Sequence, residues 1–368
     1  MLKPLHGLNI FGEPHEPPRA NKLSTRFHVP PFTVLNAREG WWQQRKRAWI
    51  RLGIKSELGR DKAETYNSGK PGTLAKGFKK KTQHLPPGGG GGGCWLGGKR
   101  TETSDNFNGV TKGTSGDDSG TSIFDPVLCE LVYRWFCPPS GVVLDPFAGG
   151  SVRGIVAHML GRKYLGFDLS QTQIDANYVQ AKSICPESQP TWICGDSKRL
   201  CNTHSIQADS LFSCPPYGDL EKYSDDPRDL SNMDYPQFLE AHRKIIEFAC
   251  ARLKPNRFAC WVVGDFRDKE GHYRNFVSET IAAFQAAGLY LHNECILVTA
   301  VGSLPIRITK QFSNSRKLGK THQQLLVFIK GDYKKATRRC WTAEERILMT
   351  TPENKEHSNP KRRKTNGS

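Results

Sequence analysis

The chain has 368 residues, of which 37% are hydrophobic, so it is long enough for one large domain or two modest ones with a real core. No stretch approaches the roughly 18 consecutive apolar residues that span a membrane, and residues 1–13 lack the apolar run of a signal peptide. The net charge is +17, a balance that favours a polyanionic partner over a membrane or a secretory role.

The basic charge is concentrated at the two ends of the chain. Residues 1–100 hold 19 Lys and Arg against 6 Asp and Glu, residues 333–368 hold 10 against 4, and the middle holds 24 against 26. A neutral core with basic arms is expected of a protein that works on a polyanion, although solvated tails would carry the same charge. We predict a basic, partly disordered extension with a Gly-rich linker over 1–121, a folded domain over 122–332 and a basic tail over 333–368.

The eleven cysteines are scattered and include no C-x-x-C pair. Zinc sites and disulfide frameworks need regular, paired spacing. Free thiols in a reducing compartment and the absence of a metal are therefore expected.

The extension contains one segment that looks ordered, Phe32 to Gly59, and then a run of six glycines at 88–93 that is typical of a linker. Within the segment Phe32 to Gly59, the sequence from Glu39 to Leu52 alternates tryptophans with lysine and arginine. At helical spacing Trp42 and Trp49 share a side, so we expect them to dock the helix while the cations face outward. Such cations would contact a DNA backbone or lie on an ordinary amphipathic helix.

From 122 to 332, strand-like and helix-like patterns alternate. The predicted strands are Val142–Asp145, Tyr164–Asp168, Thr191–Gly195, Ser210–Ser213, Phe258–Gly264, Glu294–Val301 and Gln323–Lys330. The predicted helices are Pro126–Phe136, Val152–Leu160, Ser170–Ser183, Tyr235–Leu253 and Asn275–Ala287. This alternation indicates an α/β fold with a doubly wound, mostly parallel, seven-stranded Rossmann-like sheet. The last two strands have no convincing helix between them, so an antiparallel hairpin is expected at one edge.

The first strand runs into a glycine-rich turn, with the sequence VVLDPFAGGS from Val142 to Ser151. Such a turn lets the backbone approach a ligand at the carboxyl end of the strand. The pattern is not G-x-G-x-x-G, and Asp145 in the loop would repel a pyrophosphate but pair with an ammonium group. A ligand such as S-adenosylmethionine carries that ammonium group.

Two further strands also end on an acid. Asp168 follows the glycine turn by about 20 residues, where folds of this kind bind a ribose diol, and Asp196 follows the next strand, near where an adenine would lie. A single carboxylate at a strand end is commonly a helix cap. Three successive strands that end on acids favour one shared ligand.

The fourth motif is LFSCPPY, from Leu211 to Tyr217. A strand that ends in Pro215 and Pro216 gives a stiff turn whose carbonyl oxygens are left to accept hydrogen bonds from an amine. Tyr217 offers a flat face for stacking a base taken out of a duplex. Acceptors on both N–H bonds would favour the tetrahedral nitrogen that attacks a methyl group.

On these two motifs, in this order, the chain resembles the amino-methyltransferases of DNA, which carry D-P-F-x-G-S-G-T and then [SDN]-P-P-[YF]. The resemblance covers about 122–332 and implies transfer of a methyl group from S-adenosylmethionine to an exocyclic amine of DNA. The implied cofactor contacts are Phe124, Asp125, Asp145, Phe147, Gly149, Asp168 and Asp196. The implied catalytic loop is Cys214, Pro215, Pro216 and Tyr217.

The chain departs from this family pattern at two positions. Ser151 stands where the family has its second glycine, and Cys214 stands where it has Ser, Asp or Asn. In the family, serine at this position accompanies methylation of cytosine N4, and Asp or Asn accompanies methylation of adenine N6. Because a thiol is close to a hydroxyl in size, Cys214 favours cytosine N4. The alternatives are N6-adenine methylation of DNA or RNA, and an inactive DNA-binding protein with the same fold. Use of Cys214 as the nucleophile of a C5 enzyme is disfavoured, because that family places its cysteine after a proline.

Two basic segments complete the sequence predictions. The segment between the last two strands would grip phosphates with the cations Arg307, Lys310, Arg316, Lys317 and Lys320, or would be a merely solvated loop. Residues 361–364 read KRRK, which is typical of a nuclear import signal or of a nonspecific nucleic-acid tail. The motif predicts a nuclear location if the source is eukaryotic and otherwise a cytoplasmic one with DNA.

Overall fold

The computed structural model describes residues 27–55, 124–203, 205–218, 224–302, 304–343 and 345–346. The polyglycine run at 88–93 and the basic motif at 361–364 lie outside the described residues. Within them, no helix is long and apolar enough to cross a membrane, and no group of three or more His, Cys, Asp or Glu side chains could hold a metal ion.

The described residues form eight strands and nine α-helices that alternate along most of the chain. The strands are β1 (Val34–Asn36), β2 (Val142–Asp145), β3 (Lys163–Asp168), β4 (Thr191–Cys194), β5 (Ser210–Ser213), β6 (Arg257–Val263), β7 (Tyr290–Val298) and β8 (His322–Lys330). The helices are α1 (Gly40–Arg51), α2 (Pro126–Phe136), α3 (Val152–Met159), α4 (Gln171–Ile184), α5 (Ser197–Thr203), α6 (Tyr235–Arg252), α7 (Phe276–Ala286), α8 (Leu304–Ser315) and α9 (Tyr333–Cys340).

All eight strands belong to one sheet with the order β1-β7-β8-β6-β5-β2-β3-β4. Only β8 runs against its neighbours, and every other pairing is parallel. The helices cover both faces, because the buried side chains form two apolar clusters, one on each side of the sheet. The predicted α/β, doubly wound, Rossmann-like class is confirmed.

The number of strands and the edge of the sheet differ from the prediction. Strand β1 pairs in parallel with β7, through Val34 opposite Ile296, so the sheet has eight strands and the antiparallel pair β7–β8 is not at its edge. A helix, α8, lies between β7 and β8, where none was predicted. Its apolar residues Ile306 and Phe312 are exposed, so the segment lacks the buried stripe by which an amphipathic helix is usually identified.

Helix α1 is held to α2 by a buried carboxylate. Glu130 is 2% exposed and accepts hydrogen bonds from Arg45 Nε at 2.8 Å, Trp49 Nε1 at 2.8 Å and Arg134 Nε at 3.0 Å. Burial raises the pKa of Glu130, but these donors and the two guanidinium charges outweigh it and lower the pKa to about 2. The tryptophans of α1 therefore dock the helix, as predicted. Arg45 pairs with the Glu130 carboxylate, whereas the sequence predicted that it would face outward.

The expected domain boundary at residue 122 must be moved, because residues 27–55 share the core of the sheet. Trp42 and Trp49 are fully buried in it, and β1 extends it. At the other end α9 buries Ala336 and Cys340 against the same core, so the folded unit also continues past 332.

The second apolar cluster contains a histidine whose titration should make the fold acid-sensitive. His242 on α6 is fully buried among Phe147, Phe238, Trp261 and Phe276, and neither ring nitrogen has a hydrogen-bond partner. Burial, with a smaller effect from the nearby Arg243, lowers the pKa of His242 to about 3.

We expect the free energy of unfolding to fall as the pH drops below 6.5. The unfolded chain protonates His242 near its ordinary pKa, whereas the folded chain does not until about pH 3. The stability that the fold gains while His242 is neutral is therefore fully present above pH 6.5. It is lost at about 1.4 kcal/mol per pH unit below that pH, or about 2 kcal/mol by pH 5. Urea unfolding at several pH values measures this slope. The His242→Phe variant is the control, and an equally steep slope in that variant would contradict the assignment.

Candidate active site

The predicted motifs converge where the strand order reverses. From β2 the chain proceeds outward through β3 and β4, then returns to place β5 on the other side of β2. Open α/β sheets bind their ligands at such a switch point, outside the carboxyl ends of the strands. The glycine-rich turn follows β2 and the loop of Cys214 follows β5, so both lie at this point.

Asp145, the last residue of β2, connects the glycine-rich turn to the neighbouring strands through hydrogen bonds. It is fully buried, and its Oδ1 accepts from the Ser213 hydroxyl at 2.5 Å and from the amide of Phe147 at 3.1 Å. Its Oδ2 accepts from Arg153 Nε at 2.6 Å and from the Tyr164 hydroxyl at 2.7 Å. The expected pairing of Asp145 with a ligand ammonium group is therefore not the arrangement found, because protein donors already engage both oxygens.

Arg153 is the buried partner of Asp145, and sequence reasoning missed it. Its guanidinium group also donates to the backbone oxygens of Phe147 and Ala148, and it lies 4.4 Å from the ring centre of Phe124. Although burial lowers the pKa of Arg153, the Asp145 carboxylate outweighs it and raises the pKa above its usual value. Arg153 thus fixes the carbonyl groups of the glycine-rich turn, and its isolated charge in the apolar helix α3 was the available signal.

The substitution of Ser151 for the glycine of the family pattern does not distort the turn. The residue that needs left-handed backbone is Gly149, with φ of +51°, whereas Ser151 has φ of −68°, which any residue adopts. The Ser151 hydroxyl donates to Gln180 Oε1 at 2.5 Å. Ser151 therefore anchors the turn to α4.

Asp168 and Asp196 lie at the ends of β3 and β4, and both are partly exposed. Asp168 accepts from the amides of Gly149 at 2.9 Å and Ser170 at 2.9 Å, and Asp196 accepts from the amide of Lys198 at 2.9 Å. Both carboxylates are partly exposed at the strand ends, and carboxylate oxygens accept hydrogen bonds from a diol or an amino group. These two acceptors fit the ribose hydroxyls and the adenine amino group of S-adenosylmethionine.

Phe124 and Asp125 lie ahead of α2, and the structure assigns them different contacts. The ring of Phe124 packs edge-on against Phe212 and under Arg153, beside the glycine-rich turn. The carboxylate of Asp125 caps α2 through the amide of Val127 and accepts from the Trp42 indole at 3.1 Å. Asp125 is thereby engaged in anchoring α1.

The loop from Cys214 to Tyr217 follows β5 directly. The Cys214 thiol lies 3.9 Å from the Tyr217 hydroxyl, and that hydroxyl accepts from Gln323 Nε2 on β8 at 2.9 Å. The ring of Tyr217 packs against Phe266 and Phe276, with ring centres 6.4 and 6.3 Å away. The ring is thus held in place by residues outside its own loop, and Gln323 is a positioning residue that the sequence did not single out.

The five predicted DNA contacts differ in their surroundings. Lys310 on α8 and Arg316 just after it are exposed, and the Arg307 side chain is outside the described part of the structure. A Cβ atom at Gly271 would lie 1.7 Å from Lys317 Nζ, so Lys317 rests on that loop. Lys320 Nζ donates to the backbone oxygen of Asp265 at 2.9 Å, and burial lowers its pKa. Lys320 therefore supports the segment just after β6. Its ammonium group does not face solvent, in contrast to the expectation from the sequence.

One comparison with known proteins overlaps part of this site. The family described as DNA methylase matches residues 43–179, a range that includes the glycine-rich turn and Asp168 but ends before the loop of Cys214. No protein of curated function matches the chain significantly.

Solved structures similar to the chain include methyltransferases and a [4+2]-cyclase. TrmN from Thermus thermophilus is 16% identical with a TM-score of 0.39, covering 56% of this chain and 49% of its own, so the chain spans about half the length of that relative. Magnesium protoporphyrin IX methyltransferase (ChlM) from Synechocystis PCC 6803, with bound SAM, is 13% identical with a TM-score of 0.34, covering 52% and 71%. A putative RNA methyltransferase from Pyrococcus horikoshii is 14% identical with a TM-score of 0.38, covering 56% and 82%.

The strand order and the position of the glycine-rich turn define the class of fold. The chain has a Rossmann-like sheet, and residues 43–179 of it are similar to the DNA methylase family.

Proposed function

We propose that the chain methylates DNA at the exocyclic amine of a base, with N4 of cytosine as the target. The observation that carries the proposal is the position of the Cys214–Tyr217 loop, beside the glycine-rich turn at the switch point. The hydrogen bond from Ser213 to Asp145 joins the two at 2.5 Å. A base amine held at the loop therefore lies next to the cofactor's place, and bound S-adenosylmethionine supplies an electrophilic methyl group there.

The loop residues have separate tasks in this proposal. The stiff Pro215–Pro216 turn holds a carbonyl oxygen that accepts one N–H bond of the amine. The Cys214 side chain stands where the family has the second acceptor. Tyr217 stacks on the base, and Gln323 together with Phe266 and Phe276 fixes the ring before a substrate arrives.

DNA as the substrate is supported by the DNA methylase match and by the surface around α8. Strands β6 and β7 run in the same direction, so α8 emerges after the carboxyl end of β7, on the same edge of the sheet as the catalytic loop. Residues 304–320 contain five cations and no acid. We assign Lys310 and Arg316, which are exposed, to DNA phosphates near the loop.

The test is mass spectrometry of nucleosides after incubating unmethylated DNA with the purified chain and methyl-deuterated S-adenosylmethionine. We expect deuterated N4-methylcytosine. Deuterated N6-methyladenine would move the target to adenine and leave the mechanism intact. Label on cytosine C5, or DNA without label beside a chain that binds the cofactor, would overturn the proposal.

A further inference from the structure

A second basic surface lies at the ends of the strands opposite the candidate active site. A cleft of about 500 Å³ opens there beside the turn Pro138–Gly141, which precedes β2. Its charged lining comprises Arg257, Lys335, Arg338, Arg339, Arg346 and a single acid, Asp209.

The one acid in the cleft is already neutralised. Asp209 accepts from Arg257 Nη2 at 2.8 Å and from Lys254 Nζ at 2.9 Å. Burial raises the pKa of Asp209, but these two cations outweigh it and lower the pKa below its ordinary value. The remaining cations of the cleft are thus not balanced by its only carboxylate.

Helix α9 presents three of those cations on one face. Ala336 and Cys340, four residues apart, are buried in the core, and this fixes the helix so that Lys335, Arg338 and Arg339 line the cleft. All three are exposed, and among the described residues none of them forms an ion pair. Cations held this close repel one another unless an anion lies between them, and guanidinium groups pair with phosphate through two parallel hydrogen bonds.

We infer that this cleft binds the phosphodiester backbone of DNA at a site separate from the catalytic edge, an inference that rests on the proposed function for the identity of the polyanion. The two sites lie at opposite ends of the strands, about 20 Å apart along the seven residues of β6. The cleft therefore holds a stretch of backbone outside the target base, which adds affinity without touching the chemistry.

The test compares two double variants of the full chain with equal changes in charge. Arg338→Glu with Arg339→Glu alters the cleft, whereas Lys182→Glu with Lys244→Glu alters two exposed lysines that do not line it. Fluorescence anisotropy of a labelled duplex at several chloride concentrations gives the slope of log K against log salt for each. We expect the cleft variant to lose about 2 from the magnitude of this slope relative to the control, with methyl transfer at saturating DNA retained.

Equal slopes in the two variants would overturn the inference. Replacing chloride by inorganic phosphate at constant ionic strength tests for a free anion instead. A loss of DNA binding in phosphate that the Arg338/Arg339 variant does not show would support the inference, because phosphate then competes with the backbone for the cleft. Phosphate that binds the cleft in calorimetry without weakening DNA binding would mean that the cleft takes phosphate ions and not the backbone. Methyl transfer measured on the same samples keeps the two proposals apart, because a slope difference without any methylated DNA would contradict only the proposed function.

Discussion

We expect the Asp145→Ala variant to lose about 3 to 5 kcal/mol of unfolding free energy, the usual cost of removing one partner of a buried ion pair. Asp145 is fully buried and Arg153 is 4% exposed, so the substitution leaves a guanidinium charge inside the core without its counter-ion. It also removes the acceptor of Ser213 and Tyr164. Urea unfolding, followed by circular dichroism, measures the loss.

Two further variants make this prediction specific. Asp196→Ala removes a partly exposed acid at a neighbouring strand end, whose contact is the amide of Lys198, and should cost about 1 kcal/mol, as loss of a helix cap does. Adding Arg153→Met to Asp145→Ala should recover part of the loss, since the unpaired charge disappears. A loss below 1 kcal/mol in Asp145→Ala, or no recovery in the double variant, would show that the pair does not hold the site together.

The second large effect is expected at Tyr217. Tyr217→Ala removes the stacking surface, which is worth about 1 to 3 kcal/mol per base and thus reduces single-turnover methyl transfer by roughly 5- to 150-fold. Cofactor affinity, measured by calorimetry, should stay unchanged. Tyr217→Phe is the matched control, because it keeps the ring and loses only the hydroxyl that contacts Gln323 and Cys214.

Cys214→Ser separates the two mechanisms open to this loop. If the side chain only accepts an N–H bond, the hydroxyl serves as well as the thiol or better, and methyl transfer is retained or raised. If Cys214 were a covalent nucleophile, serine would abolish activity, because it has no comparable route to an anion at neutral pH. An inactive Cys214→Ser variant that still binds cofactor and DNA would contradict direct amino-methylation.

The parts of the fold that rest on short-range patterns could be predicted from the sequence. Strands β2 and β5 have the predicted bounds, as does helix α2, because each lies between strong turn or cap signals. Helix α5 was missed because its seven residues are too few to display a period. The strand β1 is only three residues long, and nothing in Val34–Asn36 itself indicates that it joins the sheet beside β7.

The sequence by itself determined the class of fold, the positions of the strand-end acids and the loop that ends in Pro215, Pro216 and Tyr217. These features depend on residues within one strand and the turn after it, where local sterics and burial decide the conformation. Only the tertiary structure decided what each acid does. Asp145 meets Ser213 across 68 positions and Glu130 meets Arg45 across 85, and contacts over such separations depend on how the elements pack. An unpaired charge in the core costs several kcal/mol, so the buried carboxylates of Asp145 and Glu130 each pair with an arginine.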